Sequence, residues 1–127
     1  MDFETVVTLL EAEILSRPPN HNFTFDCGAA ADLMSDVLTY APTRSVLLTG
    51  LINPQVVRTA EMAGILTIVL VRGKRPPPET LRLAEEVGIP LLSTRYTMYE
   101  ACGLLYHAGL PGPGPCILYD LPEQAAQ

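Results

Sequence analysis

Apolar and polar positions fall into a cycle along much of this chain: a short apolar run, a polar turn, then an amphipathic stretch closed by glycine. The opening third is less regular. Asp2 to Leu10 places Val6, Leu9 and Leu10 on one side of a 3.6-residue period, which predicts a helix. Ala12 to Leu15 reads as a short strand, and Arg17-Pro18-Pro19-Asn20 breaks the chain, since proline fixes φ and removes a backbone donor. Phe23 and Phe25 alternate with Thr24 and Asp26, so Asn22 to Cys27 is expected to be a strand with one covered face. Asp32 to Leu38 is expected to be helical, with Leu33, Met34 and Val37 inward.

From Ser45 the cycle becomes regular. Val46-Leu47-Leu48 is an apolar strand ending at Thr49-Gly50, and Asn53 followed by Pro54 is a good helix start. That helix should run to about Ala63, with Gly64 in the left-handed closing position. Ile65 to Val71 is apolar except for Thr67, as in strands covered on both faces. Glu79 to Val87 repeats the helix and closes at Gly88, and Ile89 to Leu92 repeats the strand. Thr97 and Glu100 have capping-box spacing, opening a helix with Met98, Ala101, Cys102 and Leu105 inward that stops at Gly109.

Three strand–loop–helix units in succession require crossover connections. They predict an α/β fold: a layered, mainly parallel sheet with helices on both faces. The expected division is one α/β domain over residues 1–110 and a Pro/Gly linker with a short tail over 111–127. Pro111-Gly112-Pro113-Gly114-Pro115 can be neither helix nor central strand. Cys116-Ile117-Leu118-Tyr119, directly after it, is an apolar segment suited to docking on a sheet edge.

Composition narrows the function classes. A hydrophobic fraction of 48% and a charged fraction of 17% belong to a folded chain. The net charge of -6 argues against nucleic acid or an anionic membrane as partner, the cluster Arg72, Lys74 and Arg75 being a local exception. No run approaches the roughly 20 apolar residues of a bilayer span, and Met1-Asp2-Phe3-Glu4 lacks the basic start of a signal peptide. Cys27, Cys102 and Cys116 are odd in number and widely spaced, which fits a reducing cytoplasm. No CxxC spacing exists and His107 lies five residues beyond Cys102, so no metal site and no cofactor are expected. His21 reads as a solvated loop residue, and Cys102 as a small hydrophobe on an apolar face.

Several segments together resemble a known family. Gly28-Ala29-Ala30-Ala31-Asp32-Leu33-Met34-Ser35-Asp36-Val37, Leu48-Thr49-Gly50, Val71-Arg72-Gly73-Lys74, Ile89-Pro90-Leu91-Leu92-Ser93-Thr94 and Cys102-Gly103-Leu104-Leu105-Tyr106 are similar to the DRTGG domain over roughly residues 1 to 110. More distantly they resemble the N-terminal domain of HPr kinase/phosphorylase. The Asp-Arg-Thr-Gly-Gly string itself is absent, with Leu48-Thr49-Gly50 at the equivalent place. The resemblance implies a regulatory or ligand-binding module, found alone, beside CBS domains in regulated pyrophosphatases, or within phosphate acetyltransferases. It further implies a homodimer and, for stand-alone members, association with iron hydrogenase components.

Kinase chemistry is not expected here. A P-loop needs Gly, four residues, then Gly-Lys-Ser/Thr, whereas Gly73-Lys74 is followed by Arg75 and position 68 is Ile. No G-x-S-x-G elbow occurs either, and no catalytic residue is assigned. A ligand site remains. In open α/β sheets ligands lie beyond the carboxyl ends of the strands, where helix N-termini favour anions. The turns at Thr49, Gly50 and Asn53, at Arg72, Gly73 and Lys74, and at Ser93 and Thr94 would share that edge and form a phosphate or carboxylate pocket. The competing reading is that the polar residues only cap turns and the cations are solvated. Asp32, Ser35 and Asp36, with the two carboxylates four apart on one helix face, suit a partner interface better than a metal or acid–base pair. The functional expectation is a non-catalytic, cytoplasmic, homodimeric module that senses a small anionic metabolite or docks on a redox or metabolic complex. The alternative is a small enzyme acting on a phosphorylated metabolite through Arg72, Lys74 and Asp32.

Overall fold

Four parallel strands step across the sheet in chain order, and that decides where the helices lie. The computed structural model describes residues 1–20 and 22–114; His21 and the Cys116–Tyr119 segment fall outside the described residues. The strands are β1 (Glu13–Ser16), β2 (Cys27–Ala30), β3 (Ser45–Thr49), β4 (Thr67–Leu70) and β5 (Leu91–Ser93), in the spatial order β1-β5-β4-β3-β2. β2 through β5 pair in parallel, and β1 runs antiparallel against β5. The helices are α1 (Phe3–Leu10), α2 (Met34–Tyr40), α3 (Pro54–Ala63), α4 (Pro78–Val87) and α5 (Met98–His107).

Crossovers of one hand that always step the same way put their helices on the same face. Accordingly α2, α3 and α4 pack side by side, with Val37, Val56, Val57, Ala60 and Ala84 buried against Leu47, Ile68, Leu70 and Leu91. The opposite face is covered by α1 and α5, which connect no pair of parallel strands. Phe3, Val6, Leu10, Ala101 and Leu105 pack there on Val46, Leu48, Val69 and Leu92. The alternation along β3 and β4, one side chain to each core, is the period-2 geometry of a strand covered on both faces.

The regular cycle after Ser45 forms as its residues dictate. Gly64 and Gly88 close α3 and α4 at φ 73° and 77°, a conformation that suits glycine because it has no Cβ. The Thr97 side chain accepts from the Glu100 amide, capping α5. Asn53 stands at the N-cap of α3 but makes no side-chain cap bond.

The opening third departs from expectation at two places. The strand expected over Asn22 to Cys27 forms instead at Cys27–Ala30, and Thr24 contributes only a bridge to Asp2. The alternation of Phe23 and Phe25 serves an aromatic cluster: Phe23 lies edge-on to Phe25 at 5.5 Å and to Phe3 at 6.3 Å between centroids. Second, α2 begins at Met34, so Asp32 precedes it and shares no helix face with Asp36. Leu33, expected inward, is 59% exposed. Among the described residues no helix is long and apolar enough to cross a membrane.

Candidate functional site

Because β2 to β5 are parallel, the segments that come after them (residues 31–33, 50–53, 71–77 and 94–97) share one rim of the sheet. A crevice opens on such a rim where adjacent connections leave for opposite faces. Here that point lies between β4, which leads to α4, and β5, which leads to α5. The chain closes it with its own backbone. Arg72 N–H donates to Tyr96 O at 2.8 Å and Gly73 N–H to Thr94 O at 2.7 Å. To reach these acceptors Arg72 and Gly73 take φ of 60° and 67°. For Arg72 that is the left-handed region, which side-chain-bearing residues enter at a cost of about 1 kcal/mol or more.

The neighbouring polar groups of the expected ligand set act as struts. Ser93 Oγ donates to Lys74 O at 2.9 Å. Thr94 Oγ1 donates to Leu10 O at 2.7 Å and accepts from Tyr96 N–H. The Arg75 guanidinium forms two bonds to the Glu13 carboxylate, which holds that carboxyl below its ordinary value. Ser93, Thr94 and the Gly73 amide therefore brace the rim, and Arg75 is paired.

The rim stays open one strand further over. Asp32, just after β2, accepts at Oδ1 from the Gly50 amide at 2.7 Å and from Thr49 Oγ1 at 3.0 Å. Thr49 Oγ1 also accepts from Leu51 N–H at 3.2 Å, which fixes the turn. The Arg72 guanidinium also comes close to Gly50. A Cβ built on Gly50 would lie 3.1 Å from Arg72 Nη2 and 3.6 Å from each Asp32 carboxylate oxygen. Among the described residues neither Asp32 nor Arg72 makes an ion pair. The missing Gly50 side chain thus leaves a gap beside both a carboxylate and a guanidinium. Such a gap suits a ligand that offers a hydroxyl or amino hydrogen to Asp32 and an anionic oxygen to Arg72.

Of the sequence-predicted residues, Thr49, Gly50 and Arg72 meet at this gap. Asn53 is exposed at the start of α3, and Lys74 is partly exposed on the β4–α4 segment. Ser35 and Asp36 lie exposed on α2. Sequence reasoning misplaced Asp32 by extending the helix back over it. Its signal was available: an acidic residue directly after a small apolar run, facing a Thr-Gly turn.

A separate cavity of about 380 Å³ lies between β2 and α5, apolar and bounded by Gly28, Ala30, Leu48, Cys102, Tyr106 and Leu110. Burial raises the Cys102 thiol above its ordinary pKa, the opposite of what a reactive nucleophile needs.

A family model described as the DRTGG domain matches residues 5–108. Among solved structures, the chain is similar to the CBS and DRTGG domains of the regulatory region of Clostridium perfringens pyrophosphatase, complexed with its activator, diadenosine tetraphosphate. The TM-score is 0.69 at 15% identity, over 87% of this chain and 47% of that one, so the chain spans about half the length of that neighbour. No curated protein matches significantly.

Proposed function

The chain belongs to the DRTGG domain family, and from that premise we propose that it is a non-catalytic regulatory domain whose ligand bridges Asp32 and Arg72 over Gly50. The ligand class is a small metabolite carrying an anionic, phosphate-type group together with a hydroxyl or amino donor. The observation that supports this reading is the gap itself: a carboxylate and a guanidinium, neither in an ion pair among the described residues, both beside a glycine with no side chain. A purely anionic ligand fits less well, because the Asp32 carboxylate would repel it.

Regulation requires that occupancy be felt elsewhere. The gap has the means, since the residue carrying the cation also locks the β4–α4 and β5–α5 segments together. The domain works in the cytoplasm as a homodimer or docked on a larger redox or metabolic complex, through the exposed surface of α2 around Ser35, Asp36 and Tyr40.

A thermal-shift panel of nucleoside phosphates, sugar phosphates, inorganic phosphate and simple carboxylates tests the ligand. At a hundredfold excess over Kd a true ligand adds about 2.7 kcal/mol, several degrees in Tm. Arg72→Ala should weaken it at least tenfold by removing a charge-assisted hydrogen bond. Gly50→Ala should do the same while sparing the fold, because its new methyl crowds only the movable end of Arg72, the Asp32 oxygens lying at an ordinary contact distance of 3.6 Å. Stabilisation that is equal in both variants and wild type removes the gap from the account. Turnover of the stabilising compound would make the protein an enzyme instead.

A further inference from the structure

The apolar cavity between β2 and α5 is separate from the rim gap, yet the two are close neighbours along the chain. Ala30 lines the cavity and Asp32 stands in the gap, and Leu48 and Gly50 repeat that relation along the adjacent strand. Two residues of extended chain span at most about 7 Å, so one small molecule reaches both places. At about 380 Å³, with mostly apolar walls, the cavity has the size and lining of a small-molecule site.

Its α5 wall is made by Tyr99, Cys102, Gly103 and Tyr106, the three- and four-residue spacing of one helix face. The tyrosines stand about 10.5 Å apart along the helix axis. They are 88% and 73% exposed, which leaves their rings free to stack. Gly103 lies between them. Glycine inside a helix is destabilising relative to alanine, and the fold gives no reason for this one. Its φ is not positive, and a Cβ there would meet no atom within 4 Å. A flat ring lying between the tyrosines would need that room.

The β2 wall supplies a hydrogen-bonding edge. Gly28 N–H donates outward to Pro111 O at 2.9 Å, and Ala31 N–H donates inward to Leu48 O at 3.1 Å. Alternation along the strand therefore turns Ala30 N–H and C=O outward. Neither has a partner among the described residues, since β2 is the last strand on this side of the sheet. With Gly28 engaged, that free edge is too short to pair with a strand of another chain. It matches the donor–acceptor edge of a single ring.

We propose that one ligand occupies both places, with a planar heteroaromatic ring in the cavity and a phosphate-type group at Arg72 beside Gly50. A nucleoside phosphate is that class of compound. Its base bonds to Ala30 and stacks on the α5 tyrosines, a sugar hydroxyl donates to Asp32, and the phosphate accepts from Arg72. The assignment rests on the ligand reading of the gap, and narrows it to phosphorylated metabolites that carry a heteroaromatic base.

Calorimetry tests this by comparing ribose 5-phosphate with the adenine, guanine, cytosine and uracil ribonucleoside 5′-monophosphates. At least one monophosphate should bind wild type about tenfold more tightly than ribose 5-phosphate, the advantage a stacked base confers. Gly103→Leu fills the space between the tyrosines and raises helix propensity. It should erase that advantage and leave ribose 5-phosphate unchanged. Tyr106→Ala, at an exposed position, should reduce the advantage about fivefold, and Arg72→Ala should weaken every phosphate. Circular dichroism verifies the fold of each variant. The preferred monophosphate should also slow alkylation of Cys102 by iodoacetamide, followed by peptide mass spectrometry, where ribose 5-phosphate does not. Equal affinity for ribose 5-phosphate and all the monophosphates, lost in Arg72→Ala, would overturn the ring site and leave the gap standing. So would a base preference that survives in Gly103→Leu without protecting Cys102. Binding of none of these phosphates would remove the gap as a phosphate site, and the spanning ligand with it.

Discussion

β3 and β4 belong to the same sheet as β2 but are built on opposite principles. Every residue of β3 and β4 is buried, and their large side chains divide between the two cores. β2 is Cys-Gly-Ala-Ala, with only Cys27 fully buried, and a Cβ on Gly28 would come within 3.3 Å of Leu110 Cδ2. The middle strands are shaped for packing. The rim strand is shaped to let other parts of the chain come close: Leu110 and Pro111 on its edge, Thr49 and Gly50 against the Asp32 just beyond it. Stability concentrates in the centre, and the gap at Gly50 and the apolar cavity both border β2.

The strongest test of that contrast substitutes one residue in each. Ile68→Ala, at 0% exposure in β4, should lose about 2–5 kcal/mol through lost burial and a residual cavity. Ala30→Ser, on the exposed end of β2, should stay within about 0.5 kcal/mol of wild type. Urea unfolding midpoints measure both. Comparable losses would mean that β2 carries as much of the core as β4, and the contrast would fail.

The same contrast explains what could be read from the sequence. Wherever strand residues are large and apolar, as in Val46-Leu47-Leu48 or Ile68-Val69-Leu70, their burial sets the period and glycine marks the helix ends, so the expected elements appear within a residue or two. Where packing is done by small residues the signal vanishes. Gly28-Ala29-Ala30 has no strand propensity to detect, while the neighbouring Phe23 and Phe25 alternate for a different reason, their aromatic cluster with Phe3. The shared rim was legible because it is a consequence of parallel strands alone. Which of its polar groups stay open was not, because it depends on the left-handed turn at Arg72 that ties β4 to β5 and consumes Gly73, Ser93 and Thr94.

A second test sits where centre meets rim. The Thr49 hydroxyl is buried, donates to Asp32 and accepts from Leu51 N–H. Thr49→Val keeps the shape and leaves both partners short of a bond, which should cost about 1–2 kcal/mol. Combined with Asp32→Asn in a double-mutant cycle, the two changes should show a coupling of about 1 kcal/mol. Additive effects would mean that the central strand does not position Asp32, and the rim gap would lose its rigid wall.

The smallest effect is expected at the opposite edge of the sheet, where β1 is fixed to the β4–α4 segment by the Glu13–Arg75 pair. Hydrogen bonding from Arg75, with its charge, holds the Glu13 carboxyl below the ordinary glutamate value of 4.5. A depressed folded-state pKa contributes stability in full above the unfolded value, and the contribution disappears as pH falls through the folded value. Both groups are exposed, so solvent and salt screen the pair and its worth is small. Glu13→Gln should therefore lower the urea midpoint slightly near neutral pH, with the difference from wild type shrinking as pH drops below 4.5. High salt should shrink it as well. A difference that grows on acidification would have the wrong sign for a stabilised carboxylate. β1 would then be held by its backbone register and by Ser16 Oγ, which accepts from Leu91 N–H, with the ion pair contributing nothing.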